Sequence, residues 1–211
     1  MPASRLLFGL ALLLATAALL WQPYSTPTGT DAGVPLRQSL PQIPLVPQRT
    51  TVLGYHRPAF GPGWASAGRC STREAIAQAQ FGSDAVHQCR IIAAGPDPYS
   101  GAMLDPSAVE IDHIFPLSAA WDMGAYAWSE EQRRRFANDP LNLVAVSQKE
   151  NRRKSDQLPS RWLPSHRASR CWYARRLAQV AAAYDLPLPR ADAAALRAQC
   201  RFREPPTLSL G

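Results

Sequence analysis

Cysteine is scarce in this 211-residue sequence, and its four cysteines lie far apart. They occupy positions 70, 89, 171 and 200, so the sequence contains no Cys-x-x-Cys motif. Structural zinc sites usually draw on such closely spaced pairs, and their absence argues against a site of that kind. In an exported chain four cysteines instead indicate two disulfide bonds, for which three pairings exist.

Long hydrophobic runs are also absent, except at the N-terminus. Arg5 precedes an uninterrupted apolar stretch from Leu6 to Trp21, which has the layout of a signal peptide. The stretch is short for a membrane span. Because no Ala-x-Ala cleavage site follows it, we predict that residues 1–21 are either a signal peptide or an N-terminal membrane anchor.

The next segment lacks the apolar periodicity of helices and strands. Residues 22–50 instead carry prolines at intervals, namely Pro23, Pro27, Pro35, Pro41, Pro44 and Pro47. Such a composition is typical of an extended spacer. We therefore predict a disordered linker over 22–50, one domain over 51–204 and a C-terminal tail over 205–211, with no internal repeat.

Acidic residues are fewer than basic ones. The chain has 23 Lys and Arg against 16 Asp and Glu, a formal charge of +7. Removal of residues 1–21 would leave +6, because Arg5 is their only charged residue. Phosphate polyanions are natural partners of a basic protein, although basicity alone is weak evidence. No repeated aromatic platform for stacking single strands is present, which favours contacts to backbone phosphates with little sequence preference.

Two strand-like runs in the middle of the chain are interrupted by polar residues. Apolar neighbours surround Asp112 and His113 in the first run, and Asn142 is the polar residue of the second run, 141–146. Burial of an ionisable pair without partners is costly. A hydrogen-bonded structural pair and a functional site are the two explanations for such a pair.

A helix is predicted directly after the second run. Ser147-Gln-Lys-Glu150 has the pattern of a capping box, with Ser147 as the N-cap and Glu150 at the third helical position. Asn151, Lys154 and Ser155 then share one helical face. Glu150 and Lys154 have the spacing of an ordinary ion pair, so the basic end of this helix also suits a solvated surface.

These motifs occur in the order of a known family. Three segments resemble the motifs of HNH, or ββα-metal (His-Me finger), endonucleases. They are Asp-His-Ile-Phe-Pro-Leu (112–117), Phe-Ala-Asn-Asp-Pro-Leu-Asn-Leu (136–143) and Asn-Arg-Arg-Lys-Ser-Asp (151–156). The resemblance is strongest to the secreted bacterial HNH proteins related to the nuclease part of GmrSD-type restriction systems, and it extends from Tyr55 to Cys200. Asn151 replaces the final histidine of the pattern, and Ser71 stands where we expect an acidic residue.

The resemblance implies a role for each polar residue. His113 would be the general base, since imidazole has an unperturbed pKa near neutrality. Asp112 and Asn151 would hold one divalent cation, Mg²⁺ in the first instance, with Mn²⁺ or Ca²⁺ as alternatives. Asn142 would tie the loop to the strand and fix the His113 ring.

The basic residues of the predicted helix would bind the substrate. Lys154, with Arg152 and Arg153, would contact backbone phosphates, and Glu110 is not counted among the metal ligands. The implied function is an exported endonuclease that hydrolyses DNA, with RNA as an alternative substrate. The rival hypotheses are a non-catalytic nucleic-acid-binding or envelope protein that retains the scaffold, and an antibacterial toxin nuclease.

The flanking segments complete the expected fold. Ser71-Thr-Arg-Glu74 predicts a helix, the segment 97–101 has turn chemistry, and Ser129 begins another helix. Helical periodicity from Tyr173 to Tyr184 and again from 192 to 200 would bring Cys171 beside Cys200, which leaves Cys70 to pair with Cys89. We expect an α+β fold with a ββα-metal core and a small antiparallel hairpin, surrounded by helices and closed by two disulfides.

Overall fold

The computed structural model describes residues 34–201, 203 and 204. In this part of the chain, helices and small two-stranded sheets form a mixed α+β domain. The α-helices are α1 (Leu36–Ser39), α2 (Thr72–Phe81), α3 (Leu117–Asp122), α4 (Glu130–Asn138), α5 (Gln148–Lys154), α6 (Arg170–Ala183) and α7 (Arg190–Cys200). The strands are β1 (Leu45–Val46), β2 (Ser66–Ala67), β3 (Cys70–Ser71), β4 (Val86–His87), β5 (Arg90–Ile91), β6 (Val109–His113), β7 (Leu143–Ser147) and β8 (Leu188–Pro189). Short 3-10 turns cover Leu40–Gln42, Arg57–Phe60, Ser83–Ala85, Pro106–Ala108, Ala125–Ala127, Pro140–Asn142 and Arg167–Ser169.

The antiparallel hairpin β6–β7 is the longest sheet in the described chain. Val109 pairs with Ser147 and His113 with Leu143. One face of the hairpin forms a small apolar cluster with Ile76 of α2, and α5 packs against both strands. Gln80 of α2 covers the outer edge of β7, because its side-chain amide donates to the Ala145 carbonyl at 2.8 Å and its oxygen accepts from the Ala145 N–H at 2.9 Å. This contact satisfies backbone groups that an open strand edge would leave unpaired.

The long helix α6 fills the main core. Tyr173, Leu177, Val180 and Ala181 have no exposed surface, and they are the residues that the helical period placed on one face. Helix α7 packs against α6. The disulfide between Cys171 and Cys200 joins the start of one helix to the end of the other, as predicted.

The second predicted disulfide, between Cys70 and Cys89, is also present. It links the small hairpin β2–β3 to the small hairpin β4–β5. Gln88 and Cys89 both have positive φ, 47° and 57°, which is the backbone of a type I′ turn. The described chain contains no free cysteine.

The two helix starts with a capping-box pattern, at α2 and α5, are both capped, but the cap of α5 also involves Asp97. Ser71 and Glu74 form a complete capping box at α2. At α5 the Ser147 hydroxyl accepts from the Glu150 N–H at 3.2 Å, while the Ser147 N–H donates to the carboxylate of Asp97 at 3.2 Å. Asp97 therefore takes the acceptor role that the capping box assigns to Glu150.

The segment Asp97–Gly101 forms the predicted turn. The Gly101 N–H donates to the Asp97 carbonyl at 2.7 Å, and Gly101 has a φ of 78°. A Cβ atom at this position would lie 2.6 Å from Nδ1 of His166, so only glycine fits. The turn places Tyr99 in the core and Asp97 at the start of α5.

The predicted boundary between linker and domain is wrong for the described residues. Leu36, Leu40 and Ile43 are buried in the main core, and β1 pairs in parallel with β8. Arg49 is also anchored, because its guanidinium lies 2.6 Å from Asp122 and 2.9 Å from Asp156. The prolines masked an apolar pattern with helical spacing, and the folded domain includes the described residues from 36 onward.

The predicted leader and the first part of the predicted linker fall within residues 1–33, which lie outside the described residues. The same holds for the tail from residue 205. Among the residues that are described, no helix has both the length and the apolar character that a membrane crossing requires.

Candidate active site

His113 ends strand β6, and its ring is held from one side. Its Nε2 atom lies 2.9 Å from the carbonyl oxygen of Ala137, the residue before the end of α4. Because a carbonyl oxygen only accepts, Nε2 carries the hydrogen and Nδ1 keeps its lone pair. Burial lowers the pKa of His113 from its usual 6.5 to about 3. The imidazole is therefore neutral at physiological pH.

The His113 ring borders a small pocket of about 60 Å³, which has room for roughly two water molecules. Trp64 stacks on the ring, with centroids 5.6 Å apart and planes inclined by 15°. Among the described residues, one cationic side chain, Arg57, and no acidic residue line the pocket. Its complete lining is Arg57, Phe60, Gly61, Gly63, Trp64, His113, Leu117 and Ala137.

Asp112 belongs to a different and more deeply buried group. Its carboxylate accepts from the Tyr99 hydroxyl at 2.6 Å and forms an ion pair with Lys154, whose Nζ atom is 3.0 Å and 2.8 Å from the two oxygens. Lys154 also donates to the His113 carbonyl at 2.7 Å. Burial raises the pKa of Asp112 and lowers that of Lys154.

The prediction that Lys154 contacts substrate phosphates is therefore wrong for this structure. Lys154 has no exposed surface, although its neighbours Arg152 and Arg153 are exposed. Lys154 lies on the face of α5 that meets β6, where a buried carboxylate requires a cation. The spacing along α5 predicted the shared face correctly but did not reveal the partner.

Strand alternation explains why the predicted residues do not share one pocket. Consecutive side chains of a strand point to opposite faces. His113 stacks on Trp64, which packs against the cluster of Val109 and Ile111, whereas Asp112 contacts Lys154 of α5. The expected convergence of His113, Asp112 and Asn151 is absent from the described structure.

Asn151 pairs with Glu110 instead of Asp112. Its side-chain nitrogen donates to Glu110 at 2.8 Å, and the other Glu110 oxygen accepts from Gln148 at 2.9 Å. Glu110 and Asn151 are both half-buried, and the partners of Glu110 are neutral amides that a cation can replace, unlike the buried ammonium group on Asp112. One carboxylate and one amide are a suitable donor set for a hard divalent cation that keeps several waters. Asp112 does not fit such a site here, because both of its oxygens are engaged by Lys154 and Tyr99.

Asn142 is a positioning residue in this structure. It is fully buried, accepts from the Phe115 N–H at 2.8 Å and donates to the Phe115 carbonyl at 3.2 Å. These bonds tie the segment after β6 to the entrance of β7, as predicted. The His113 ring itself is fixed by Ala137, so Asn142 acts on it through the backbone.

The sequence reasoning missed three residues of this region. Arg57 and Trp64 lie in a loop with several aromatic residues, and Tyr99 lies in the turn 97–101, so no local pattern marked them as parts of a site. Gly61 and Gly63 between Arg57 and Trp64 have φ values of 107° and 149°, which require glycine. This glycine pattern was the available signal that the loop has a defined shape.

The fold and the site define a disulfide-bonded α+β protein with a neutral histidine beside a small, mainly apolar pocket that contains one arginine. The family model described as the C-terminal domain of GmrSD restriction endonucleases matches residues 71–197. A protein of Arthroderma benhamiae, described as an uncharacterized secreted protein, is 36% identical over 190 residues, which cover 87% of this chain and 90% of that protein. The chain belongs to the family of GmrSD restriction endonuclease C-terminal domains. No solved structure matches the chain significantly.

Membership of this family confirms the resemblance to the nuclease part of GmrSD-type restriction systems, while the HNH core stays a prediction. It places the chain in a nuclease family, whose substrates are nucleic acids. The relative in Arthroderma benhamiae is fungal, so a bacterial origin stays a prediction.

Proposed function

We propose that the protein is an HNH, or ββα-metal, endonuclease that hydrolyses phosphodiester bonds of DNA, with RNA as an alternative substrate. Two antiparallel strands, β6 and β7, are followed by helix α5, and this order supports the proposed core. Family membership supports the nuclease class. The observation that carries the proposal is His113, a neutral imidazole that is fixed through Nε2 beside a pocket with one arginine.

His113 would act as the general base. Nδ1 takes a proton from water while the water oxygen attacks phosphorus, the bond from phosphorus to the 3′ oxygen breaks, and solvent protonates the leaving oxygen. A pKa of about 3 makes the free imidazole a weak base. A phosphodiester carries negative charge, and its entry beside the ring raises the pKa of His113 toward the working range.

A divalent cation, Mg²⁺ first and Mn²⁺ or Ca²⁺ as alternatives, would be held by Glu110 and Asn151. Because Glu110 lies on the face of β6 opposite to His113, the cation would neutralise a neighbouring phosphate of the bound backbone and not the charge on the leaving oxygen. Asp112, the ligand expected from the sequence, would bind the cation only after its ion pair with Lys154 had broken. To share the cation, the Asn151 amide would have to flip so that its oxygen, and not its nitrogen, faces Glu110.

The exposed arginines of α5 suit a substrate that is recognised by its backbone. Arg152 and Arg153 are both exposed, and Arg153 pairs with Glu150 at 3.0 Å. The formal charge of +7 would add sequence-independent attraction to phosphates. Low sequence specificity follows from contacts that are made mainly with phosphates.

Export from the cell is part of the proposal. Two disulfides favour an oxidising compartment, and the fungal relative is described as secreted. Residues 1–21 would direct export, either as a cleaved signal peptide or as a retained anchor.

One observation favours the rival function of a non-catalytic nucleic-acid-binding or envelope protein. The ion pair of Asp112 with Lys154 removes the carboxylate that the sequence assigned to the metal. A protein that used the scaffold for binding alone would tolerate this closed arrangement.

The deciding experiment is plasmid nicking in Mg²⁺ or EDTA. Wild type is compared with His113→Ala and with His87→Ala, which changes an exposed histidine of β4. We expect loss of roughly 10²–10⁴-fold activity in His113→Ala and none in His87→Ala, because a general base usually contributes that much. Equal nicking by wild type and His113→Ala would refute the role of His113. Inactivity of pure wild type in several divalent metals would favour the binding protein.

A further inference from the structure

Arg57 differs from many arginines of the domain because no carboxylate or carbonyl of the described residues binds its guanidinium. The guanidinium groups of Arg49, Arg73, Arg133, Arg153, Arg170 and Arg175 each donate to such an acceptor. Arg57 is exposed and makes no hydrogen bond or ion pair with residues 34–201, 203 or 204. It begins the 3-10 turn Arg57–Phe60 and lines the same pocket as His113.

The pocket around Arg57 has the chemistry of an anion site. Phe60, Trp64 and Leu117 provide apolar walls, and no carboxylate lines the pocket to compete for the guanidinium. A guanidinium stays charged at every physiological pH, and its donors match two oxygens of a phosphate group at once. Among the described residues that line this pocket, Arg57 is the one lysine or arginine.

The loop that carries Arg57 leaves space for a ligand. Gly61 and Gly63 border the pocket, and a Cβ atom at Gly63 would meet nothing within 4 Å. Trp64 on the other side of the glycines stacks against the His113 ring. The loop thus places a cation and an aromatic wall on either side of a bare backbone segment.

We infer that Arg57 binds the non-bridging oxygens of the phosphodiester that is cleaved, and that it is a catalytic residue beside His113. This inference rests on the proposed nuclease function. Arg57 donates hydrogen bonds only, and it stabilises the charge that develops on the phosphate when water attacks. The ligand class is a single phosphodiester group, in contrast to the extended backbone that Arg152 and Arg153 would contact.

The activity test compares wild type, Arg57→Ala, Arg57→Lys and Arg190→Ala in the full chain. Arg190 is an exposed arginine at the start of α7 and does not line the pocket. With the p-nitrophenyl ester of thymidine 5′-phosphate, a minimal phosphodiester, we expect Arg57→Ala to lower kcat/KM by roughly 10²–10³-fold. Arg57→Lys should recover a part, because an ammonium group lacks the planar fork. Arg190→Ala should match wild type.

A binding test separates this inference from the proposed function. In EDTA, the indole N–H signal of Trp64 is followed by NMR during titration with the dinucleotide TpT and with its uncharged methylphosphonate analogue. Wild type should prefer the charged dinucleotide by roughly tenfold or more, and Arg57→Ala should lose this preference.

The outcomes of the two tests are distinct. Equal preference in wild type and Arg57→Ala, or no binding of TpT by wild type, overturns the role of Arg57. In a third outcome, wild type cleaves no phosphodiester but prefers TpT to the methylphosphonate, and Arg57→Ala lacks this preference. The phosphate site is then supported and the nuclease proposal is refuted.

Discussion

Lys154 places its ammonium nitrogen 2.8 Å from one carboxylate oxygen of Asp112 and 3.0 Å from the other, and both side chains are buried. The pair connects α5 to β6. Tyr99 and the His113 carbonyl complete its hydrogen bonds. Removal of either member of such a buried pair destabilises the protein, because the remaining charge is left without compensation.

Lys154→Met should destabilise the protein by about 3–5 kcal/mol, since Asp112 would remain buried without its cation. Guanidinium denaturation gives the free energy of unfolding. Arg152→Met on the exposed side of α5 is the control and should change it by less than about 0.5 kcal/mol. The double variant Lys154→Met/Asp112→Leu should recover much of the loss, and a fully stable single variant would show that the pair is unimportant.

Removal of the Glu110 carboxylate should weaken metal binding. Glu110→Gln and Asn151→Ala are expected to reduce Mn²⁺ affinity roughly tenfold or more, as measured by calorimetry or by electron paramagnetic resonance. Glu131→Gln alters an exposed acid of α4 and should have no effect. Circular dichroism verifies that each variant is folded.

Asp112→Asn is the informative comparison for the same measurement. We expect a smaller loss than in Glu110→Gln, because the Asp112 oxygens are engaged by Lys154 and Tyr99. If Asp112→Asn abolished binding while Glu110→Gln preserved it, the ligand set derived from the structure would be wrong. The ligand pair expected from the sequence would then form after release of Lys154.

His113 should make folding sensitive to acid. Its pKa is about 3 in the folded protein and about 6.5 when exposed, so the unfolded chain takes up the proton first. The stability contribution is fully present above about pH 6.5 and is lost toward pH 3, at no more than about 1.4 kcal/mol per pH unit. His113→Gln should therefore lose stability less steeply than wild type between pH 6 and 4, as measured by denaturation at each pH.

The control for this pH dependence is His87→Gln, which removes an exposed histidine. Its stability curve should run parallel to that of wild type. Parallel curves for wild type and His113→Gln would mean that His113 is protonated in the folded protein near its usual pKa.

The two disulfides should differ in their contribution to stability. Replacing Cys171 and Cys200 by alanine should cost more than replacing Cys70 and Cys89. The chain segments closed by the two disulfides are similar in length, and a chain-entropy effect of about 3–4 kcal/mol is expected for each. Cys171 and Cys200 are buried in the main core, however, whereas Cys89 is exposed. Thermal unfolding of the two double-alanine variants measures the difference, and equal losses would contradict the packing argument.

Local signals predicted much of the fold. Ser71 and Ser129 mark helix starts, the segment 97–101 forms its turn, and the helical period of α6 and α7 brings Cys171 to Cys200. Each of these features depends on residues a few positions apart, or on one stripe of a helix. Such contacts are encoded in short stretches of sequence and can be read from them.

The sequence by itself determined that His113, Asn142 and the polar residues of α5 belong to one strand–strand–helix unit. Only the tertiary structure decided their partners: Lys154 with Asp112, Asn151 with Glu110, and His113 with Ala137 and Trp64. The physical reason is that a buried charge takes whichever counter-charge and donor the packing brings within hydrogen-bonding distance. That choice depends on strand alternation and on residues far apart in the chain, such as Tyr99 and Trp64, which no local pattern connects to the site.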